Sequence, residues 1–225
     1  ADLIFPHHEH ELAQSVCAHG GPFVRYWMHN GYLVVKGDKM SKSLGNVLTV
    51  RELLAEAPGE AVRLALLQAH YRAPLEFGVD TLSEAKSNLD RLYRALRDAG
   101  AHEPGEPAPA VLEALLDDLN TPAAIAAMHE TATALNRSED AGERAALAGA
   151  LLGGGELLGL LREDPTAWLH GEGDDAEEIE ALVAERVAAR RSRDFARADA
   201  IRDALAARGI ALEDGPEGTD WRRTA

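Results

Sequence analysis

Four stretches between residues 80 and 161 carry apolar residues three or four positions apart, and this periodicity limits the fold more than any other feature. Such a spacing places the side chains on one face of a helix, which must then be buried. Stretches rich in Gly, Pro and Glu at residues 100–109 and 163–175 separate these units. Four amphipathic helices with short connections predict a helix bundle. The stripes are Leu82, Ala85, Leu89, Leu92 and Leu96; Val111, Leu112, Leu115, Leu116 and Leu119; Ile125, Met128, Ala132 and Leu135; and Leu147, Leu151 and residues 157–161.

The residues on either side of this region predict strands as well as helices. Before it, the sequence predicts a short buried strand ended by Pro6, a helix, a hairpin that turns at Asn30-Gly31, and two helices split by Pro58-Gly59. After it, the sequence predicts two helices, the second stopping at Gly209, and a short two-stranded unit. The elements before the bundle occupy residues 2–6, 7–14, 23–35, 50–57 and 60–70.

The net charge of −15 is unevenly distributed. Residues 98–180 contain 19 acidic and three basic residues, which account for the whole excess. Residues 20–51 contain five basic residues and one acidic residue, and residues 186–208 contain seven arginines and three aspartates. Local patches decide contact with phosphates, so these two basic segments keep nucleic acid among the possible partners.

Cysteine content and apolar runs bear on the cellular location. With Cys17 as its single cysteine, the chain forms no internal disulfide, which predicts a reducing cytoplasm. No apolar run approaches about 18 residues, so no membrane span is predicted. The first residue is Ala1 and no signal-peptide pattern follows, which predicts that the chain begins inside a longer protein.

The segment Asp38–Asn46 predicts a flexible cationic loop. Lys39 and Lys42 lie three positions apart beside Ser41, and Gly45-Asn46 favours a turn. Lysine ammonium groups on mobile stems suit a polyanion whose charge moves during a reaction, above all a nucleotide triphosphate that loses pyrophosphate. A solvated turn is the alternative, and the surrounding sequence decides between them.

Two residues of the predicted helix at residues 7–14 could supply part of a metal site. His7 and Glu11 are four positions apart, so on a helix they share a face. Zinc accepts both residue types but normally needs further ligands. The alternative is a polar start of a helix.

A group near the C-terminus suits single-stranded bases. Phe195 can stack on a base, Asp199 and Asp214 can accept from base amino or imino groups, and Arg190 belongs to a run of arginines beside them. The alternative is that Phe195 belongs to the core and that the carboxylates form ion pairs or helix caps.

Taken together, these motifs resemble one family, the cysteinyl-tRNA synthetases. Residues 39–43 are similar to the signature loop of class I aminoacyl-tRNA synthetases. The resemblance covers essentially the whole chain, but no His-x-Gly-His string occurs, so it implies the C-terminal half of a synthetase that is inactive alone. The matching strings, in order, are Phe5-Pro6-His7-His8-Glu9, Tyr26-Trp27-Met28-His29, residues 39–46, His70-Tyr71-Arg72, residues 213–219 and Trp221-Arg222-Arg223.

The resemblance implies a mostly α fold with three parts. Residues 1–75 would be the end of a Rossmann-like α/β catalytic domain. Residues 76–165 would be a four-helix bundle that contacts the tRNA stem. Residues 175–225 would be a small α/β domain similar to an anticodon-binding domain.

The resemblance also implies an activity and its site. The intact protein would be a cytoplasmic, monomeric ligase that uses ATP with Mg²⁺ to activate L-cysteine as an adenylate and transfers it to tRNA(Cys). A Zn²⁺ ion would bind the cysteine thiolate, which it prefers to a serine hydroxyl. The implied residues are His7 and Glu11 for zinc; Lys39 and Lys42 for catalysis; Lys39, Lys42, Ser41 and Asp2 for ATP; and Arg190, Phe195, Asp199 and Asp214 for tRNA.

Two other functions stay open. A related cysteine ligase that acylates an amino sugar shares the chemistry, although a sugar substrate requires no anticodon-like domain. A non-catalytic tRNA-binding module also fits a chain without the His-x-Gly-His motif.

In the full-length enzyme, Lys42→Ala is expected to lower the rate of cysteine activation more than the affinity for ATP. The reason is that the loop lysines stabilise charge that develops on the phosphates mostly in the transition state. Exchange of pyrophosphate into ATP measures both quantities, and an unchanged activation rate would exclude this role.

Overall fold

The computed structural model describes residues 3–35, 38–40, 45, 47–100, 102–171, 175–215 and 218–223, the side chains of residues 38, 39 and 79 excepted. The chain divides into two compact units. The first consists of residues 1–85 and 109–127, and the second of residues 86–108 and 128–225. The division falls within two long helices.

Helices dominate the described residues, and the strands are short. The helices are α1 (Glu9–His19), α2 (Val50–Glu56), α3 (Gly59–Leu67), α4 (Val79–Ala99), α5 (Pro109–Leu116), α6 (Thr121–Arg137), α7 (Ala141–Leu158), α8 (Pro165–His170), α9 (Ala176–Arg191) and α10 (Phe195–Ala207). The strands are β1 (Leu33–Val35), β2 (Asp38–Lys39), β3 (Leu75–Glu76), β4 (Ile210–Gly215) and β5 (Gly218–Arg223). The predicted mostly α fold is confirmed.

A three-stranded sheet in the order β2-β1-β3 lies in the first unit. The predicted hairpin at Asn30-Gly31 is wrong, because residues 23–29 form no strand and β1 instead pairs antiparallel with β2. Gly31 has another purpose: its N–H donates to the carbonyl oxygen of Tyr71 at 2.6 Å, and a Cβ there would lie 2.0 Å from the carbonyl oxygen of Ala73. The glycine therefore lets the segment before β3 pass close to β1.

The segment before α1 also differs from its prediction. Ile4–His8 forms a helical turn interrupted at Phe5, whose backbone is extended, and not a buried strand. Phe5 is 74 % exposed. A strand needs a neighbour for its backbone N–H and C=O groups, and among the residues described here none pairs with this segment.

The second apolar stripe is only partly buried. Val111 is buried, but Leu112, Leu116 and Leu119 are exposed, Leu116 to 77 %. The helix α5 ends at Leu116, and the backbone at Asp118 and Leu119 then enters the left-handed region with φ of 54° at both residues. The prediction of one buried stripe is wrong here: Leu112 and Leu116 lie within α5 and are still exposed, and Leu119 lies beyond the end of the helix.

In the second unit, buried side chains of α4, α6 and α7 form an apolar interior. Arg144, in the first turn of α7, connects this helix to the C-terminal ends of α6 and α4, because it donates to the carbonyl oxygens of Leu135 at 3.1 Å and Asp98 at 2.8 Å. The stripes predicted from the sequence are buried at Leu89, Leu92, Leu96, Met128, Ala132, Leu135 and Leu151.

The stretch at residues 163–175, predicted as a linker, contains the helix α8. Trp168 of α8 is buried and stacks on Tyr93 with ring centroids 4.6 Å apart. Its indole N–H donates to Asp90 Oδ1 at 2.8 Å, and Lys86 donates to the same carboxylate at 3.1 Å. One aromatic residue with a hydrogen-bond partner thus converts this linker into a packed element.

Glycines in α7 bring another chain segment close. The helix continues through residues 153–155, although the sequence indicates a weak helix there. The N–H of Gly105 donates to the carbonyl oxygen of Gly149 at 2.8 Å, and a Cβ at Gly153 would lie 2.1 Å from the carbonyl oxygen of Gly105. The glycines lower the stability of the helix, but they allow residues 103–107 to lie directly against it.

The terminal part contains the two predicted helices, α9 and α10, and a two-stranded antiparallel sheet of β4 and β5. Trp221 of β5 is 2 % exposed and packs at the centre of its core. The core consists of Ile179, Val183, Ile201, Leu205, Ile210 and Trp221.

Within the ranges that the structure describes, every helix is too short or too polar to cross a membrane.

Gly153→Ala is expected to lower the free energy of unfolding by about 1–3 kcal/mol, because the added methyl group meets backbone that has no room to move. Thermal or urea unfolding measures the change. The matched control is Gly59→Ala at the start of α3, where a Cβ meets only Leu54 Cδ2 at 3.6 Å. That control should stay within about 0.5 kcal/mol of the parent. An equal effect of both substitutions would contradict the close-packing argument.

Candidate functional site

Asp214 is the centre of a charge cluster in the second unit. Its carboxylate accepts from Arg186 Nη1 and Nη2 at 2.9 and 3.1 Å, from Arg190 Nη1 at 2.7 Å and from Thr219 Oγ1 at 2.7 Å. Thr219 lies directly opposite Asp214 in the β4–β5 pair. The Arg186 guanidinium, followed by the Thr219 hydroxyl, holds the pKa of Asp214 well below its usual range. The carboxylate is therefore ionised throughout the physiological pH range.

The two arginines of the cluster differ in exposure. Arg186 and Arg190 are four positions apart on α9 and thus lie on the same side of the helix. The side chain of Arg186 is 10 % exposed, whereas that of Arg190 is 49 % exposed. Arg186 therefore holds Asp214 from the buried side of the cluster, whereas Arg190 is accessible to a ligand.

Phe195 and Asp199 lie four residues apart on α10. Phe195 is 62 % exposed, so its assignment to the core is excluded. Asp199 forms an ion pair with Arg202 of the same helix at 3.0 Å. The pKa of Arg186 is raised mainly by Asp214, and the charge of Asp199 adds to this shift. Asp199 therefore acts on the Asp214 cluster electrostatically.

The second unit contains groups of the kinds that recognise unstacked bases: the exposed ring of Phe195, the exposed guanidinium of Arg190 and the carboxylates of Asp199 and Asp214. Both carboxylates are ion-paired, as the alternative interpretation of the sequence expected. Asp214 accepts four hydrogen bonds, which fills the acceptor sites of a carboxylate. A base could bind Asp214 only by replacing one of these donors, and Arg190 is the most accessible.

His7 and Glu11 lie next to each other in the first unit, as their spacing predicted. His7 Nδ1 is 3.9 Å from Glu11 Oε1, and the two side chains are 55 and 51 % exposed. In the described part of the chain, no cluster of three or more His, Cys, Asp or Glu residues could hold a metal ion. The pair fits two positions of a tetrahedral zinc site and does not complete one.

Aromatic rings surround the residue after His7. His8 Nδ1 is 3.0 Å from His29 Nε2, and the ring of Trp27 lies parallel to that of His29 with centroids 5.8 Å apart. Desolvation, followed by the neighbouring His29, lowers the pKa of His8. The segment 23–29 forms no strand, and its rings Trp27 and His29 contact His8, the neighbour of His7.

The predicted nucleotide-binding residues are only partly within the described residues. The backbone of Lys39 belongs to β2 and pairs with Val34. The Lys39 side chain, Ser41, Lys42 and Asp2 lie outside the described residues. Their roles stay predictions.

Asp118 forms a second carboxylate cluster that sequence reasoning missed. Its Oδ1 accepts from the Tyr71 hydroxyl at 2.7 Å, and its Oδ2 accepts from Arg72 Nε at 2.7 Å. The hydrogen bond from Arg72, followed by that from Tyr71, lowers the pKa of Asp118 to about 2. The neighbouring Thr121 donates to the carbonyl oxygen of Leu67 at 2.8 Å. These contacts tie the start of α6 to the end of α3.

The sequence contains only a weak signal for this cluster. Thr121-Pro122, a helix start between the second and third apolar stripes, indicates a turn before it, and His70-Tyr71-Arg72 belongs to the strings that carry the family resemblance. A turn signal does not show which distant residues the turn contacts.

Sequence models of three families match consecutive parts of the chain. Residues 1–87 match tRNA synthetases class I (C) catalytic domain. Residues 110–162 match the DALR domain. Residues 173–222 match the cysteinyl-tRNA ligase anticodon binding domain.

Curated proteins named cysteine–tRNA ligase are similar over almost the whole chain. The protein of Paramagnetospirillum magneticum is 56 % identical over 231 residues, covering 99 % of this chain and 50 % of the relative. The protein of Parvibaculum lavamentivorans is 57 % identical over 230 residues, which cover 98 % of this chain and 49 % of the relative. The protein of Halorhodospira halophila is 54 % identical over 230 residues, which cover 99 % of this chain and 50 % of the relative. The chain spans about half the length of the curated relatives it matches.

Asp118→Asn is expected to lower the melting temperature at pH 7 by removing the charge that Arg72 and Tyr71 contact. Asparagine tolerates the left-handed backbone at this position, so the substitution removes the charge and one acceptor oxygen without straining the backbone. Because the folded pKa is depressed to about 2, the stabilisation is complete above about pH 4 and is lost as the pH falls towards 2. Melting curves between pH 7 and pH 2 should show a constant difference down to about pH 4 and a shrinking difference below it. A pH-independent difference would contradict the electrostatic explanation.

Proposed function

Because this chain belongs to the cysteinyl-tRNA ligase family, whose members are aminoacyl-tRNA ligases, we propose that the intact protein activates L-cysteine with ATP and transfers it to tRNA(Cys). The observation that carries this proposal is the order of the family matches: catalytic, DALR and anticodon-binding domains follow one another in a single chain. The chain alone is proposed to be inactive in activation, since its sequence has no His-x-Gly-His motif.

The three parts predicted from the sequence have distinct roles in this proposal. Residues 1–75 contribute to the site of adenylate formation, residues 76–165 contact the tRNA stem, and residues 175–225 bind the anticodon. The match of residues 173–222 to an anticodon binding domain supports the last assignment.

Recognition of the anticodon is assigned to the Asp214 cluster. Arg190 is exposed and held by one carboxylate, so it can donate to a base edge once Asp214 releases it. Phe195 offers its exposed ring for stacking, and Asp199 offers an exposed carboxylate on the same helix. Arg186 stays bound to Asp214 and keeps the carboxylate in place after Arg190 moves.

Cysteine binding is assigned to His7 and Glu11 with a zinc ion. The pair supplies two ligands of the kinds that zinc uses, and the remaining ligands come from residues outside this chain. Bound zinc would supply the preference for a thiolate over a hydroxyl. The rings of Trp27 and His29 limit the water around His8, and this shell holds the start of α1 in place.

ATP binding with Mg²⁺ is assigned to Lys39, Lys42, Ser41 and Asp2 by the family resemblance. The same resemblance supports the cytoplasmic location that the cysteine content predicts, and it implies a monomer.

The competing functions are separated by particular observations. The anticodon-binding match favours tRNA over an amino sugar, which has no anticodon. For this chain on its own, a non-catalytic RNA-binding module is the second candidate, because its sequence has no His-x-Gly-His motif and the residues around Asp214 form a connected cluster.

Titration of this chain with tRNA(Cys) over a salt series tests the proposal. The logarithm of the affinity should fall linearly with the logarithm of the salt concentration. Arg190→Met should lower the affinity roughly tenfold, because it removes a base-directed donor. The control is Arg51→Met, which removes the same charge at an exposed arginine of α2, in the part of the chain that is not assigned to tRNA binding.

Equal losses for the two variants would show general electrostatic attraction and contradict anticodon recognition at Arg190. No binding at any salt concentration would contradict tRNA recognition by this chain.

A further inference from the structure

Two carboxylates face each other across the β4–β5 hairpin. Glu213 of β4 lies directly opposite Asp220 of β5, and their side chains are 24 and 40 % exposed. Like charges at directly opposed positions destabilise an antiparallel pair. Partial burial weakens the screening by water, so this pair requires a cation between its members.

Arg97 supplies that cation from the last turn of α4. Its Nη2 donates to Glu213 Oε2 at 2.9 Å, and its Nη1 lies 2.8 Å from Asp220 Oδ2. The Arg97 side chain is 15 % exposed. A planar guanidinium can contact two carboxylates with two different nitrogens at once, which a lysine ammonium cannot do with the same geometry.

The other basic side chains described near the hairpin each contact one of the two acids. Arg94 Nη1 is 3.5 Å from Glu213 Oε1, and Arg222 Nε donates to the same oxygen at 3.1 Å. His170 Nε2 is 3.3 Å from Asp220 Oδ1. Arg97 is therefore the bridging cation of this cluster, and it connects the hairpin to α4.

The Arg97 bridge lies next to the proposed recognition cluster. Glu213 precedes Asp214 directly, and Asp220 follows Thr219 directly, so the two cross-strand pairs are neighbours on the hairpin. A cleft of about 660 Å³ is lined by residues of both pairs and by Arg97. Adjacent residues of a strand point to opposite faces, so a shift of the Glu213–Asp220 face also moves Asp214.

We propose that Arg97 is a positioning residue for RNA recognition: by bridging Glu213 and Asp220 it fixes the hairpin on α4 and thereby the orientation of Asp214 and Arg190. Arg97 touches no RNA in this proposal. The inference rests on the proposed function, because it assigns Arg97 a role in the selectivity of the same site.

The experiment compares the affinities of this chain for two RNA hairpins. One carries the cysteine anticodon and the other differs from it at one anticodon base. Arg97→Met is expected to lower the ratio of the two affinities roughly 5- to 30-fold, because a misplaced Asp214 cluster no longer distinguishes the bases. Arg97→Lys should lower the affinity ratio as well, since lysine keeps the charge but cannot contact both carboxylates with two separate nitrogens.

Arg94→Met is the matched control. Arg94 lies one turn earlier on α4 and contacts only one of the two acids, at 3.5 Å. This variant should keep the affinity ratio of the parent. An unchanged ratio in both Arg97→Met and Arg97→Lys would overturn the proposal.

A rescue variant separates positioning from general stability. Asp220→Asn in the Arg97→Met background removes the repulsion between the two acids while keeping the oxygen that accepts from the Trp221 N–H. If the loss in Arg97→Met comes from this repulsion, the affinity ratio should recover at least in part in the double variant. If the loss comes from the missing packing of the Arg97 side chain, the ratio should not recover. If Arg97→Met fails to fold, Arg97→Lys and the double variant decide the question by the same ratio.

The two proposals fail in different ways. A parent chain that binds both RNA hairpins equally overturns anticodon recognition and the role of Arg97 with it. A parent chain that distinguishes them, with variants that distinguish them equally well, overturns the role of Arg97 alone.

Discussion

Neutralisation of carboxylates on the β4–β5 hairpin is the constraint on which the second unit depends. Glu213 and Asp214 are adjacent on one strand and face Asp220 and Thr219 on the other. Arginines from two helices meet these acids: Arg97 from α4 on one side, and Arg186 and Arg190 from α9 on the other. Ion pairs to α4 and α9 therefore hold the hairpin in addition to its apolar core. These contacts fix the position of the two-stranded sheet relative to α4 and α9.

The acidic excess of the chain has a related meaning. A net charge of −15 argues against a nucleic-acid partner only if the charges are free and evenly spread. Instead, Asp118, Asp214 and Glu213 are each engaged by arginines within the protein. Arg190 is itself paired with Asp214 and is still 49 % exposed. In the proposed function, the local distribution of charge therefore matters more for contact with RNA than the total charge does.

Prediction succeeded where a local pattern carries the information. Helical periodicity located α4, α6, α9 and α10, because burial of one helix face depends on residues three or four apart. It failed for Asn30-Gly31, where the glycine permits a close approach to residues 71–73 and makes no hairpin. It also failed for Trp168, whose partner Asp90 is distant in sequence. In both cases the missing information was a contact with another segment.

The sequence by itself determined the helical character, the terminal two-stranded unit, the pairing of His7 with Glu11 and the family, because each is encoded by neighbouring residues or by strings that keep their order. Only the tertiary structure decided that Asp214 is bound by Arg186 and Arg190, that Phe195 is exposed, and that Arg97 bridges two acids more than a hundred residues further along the chain. Those facts depend on which charged groups meet after folding. Hydrogen bonds between distant segments leave no periodic signal in the chain.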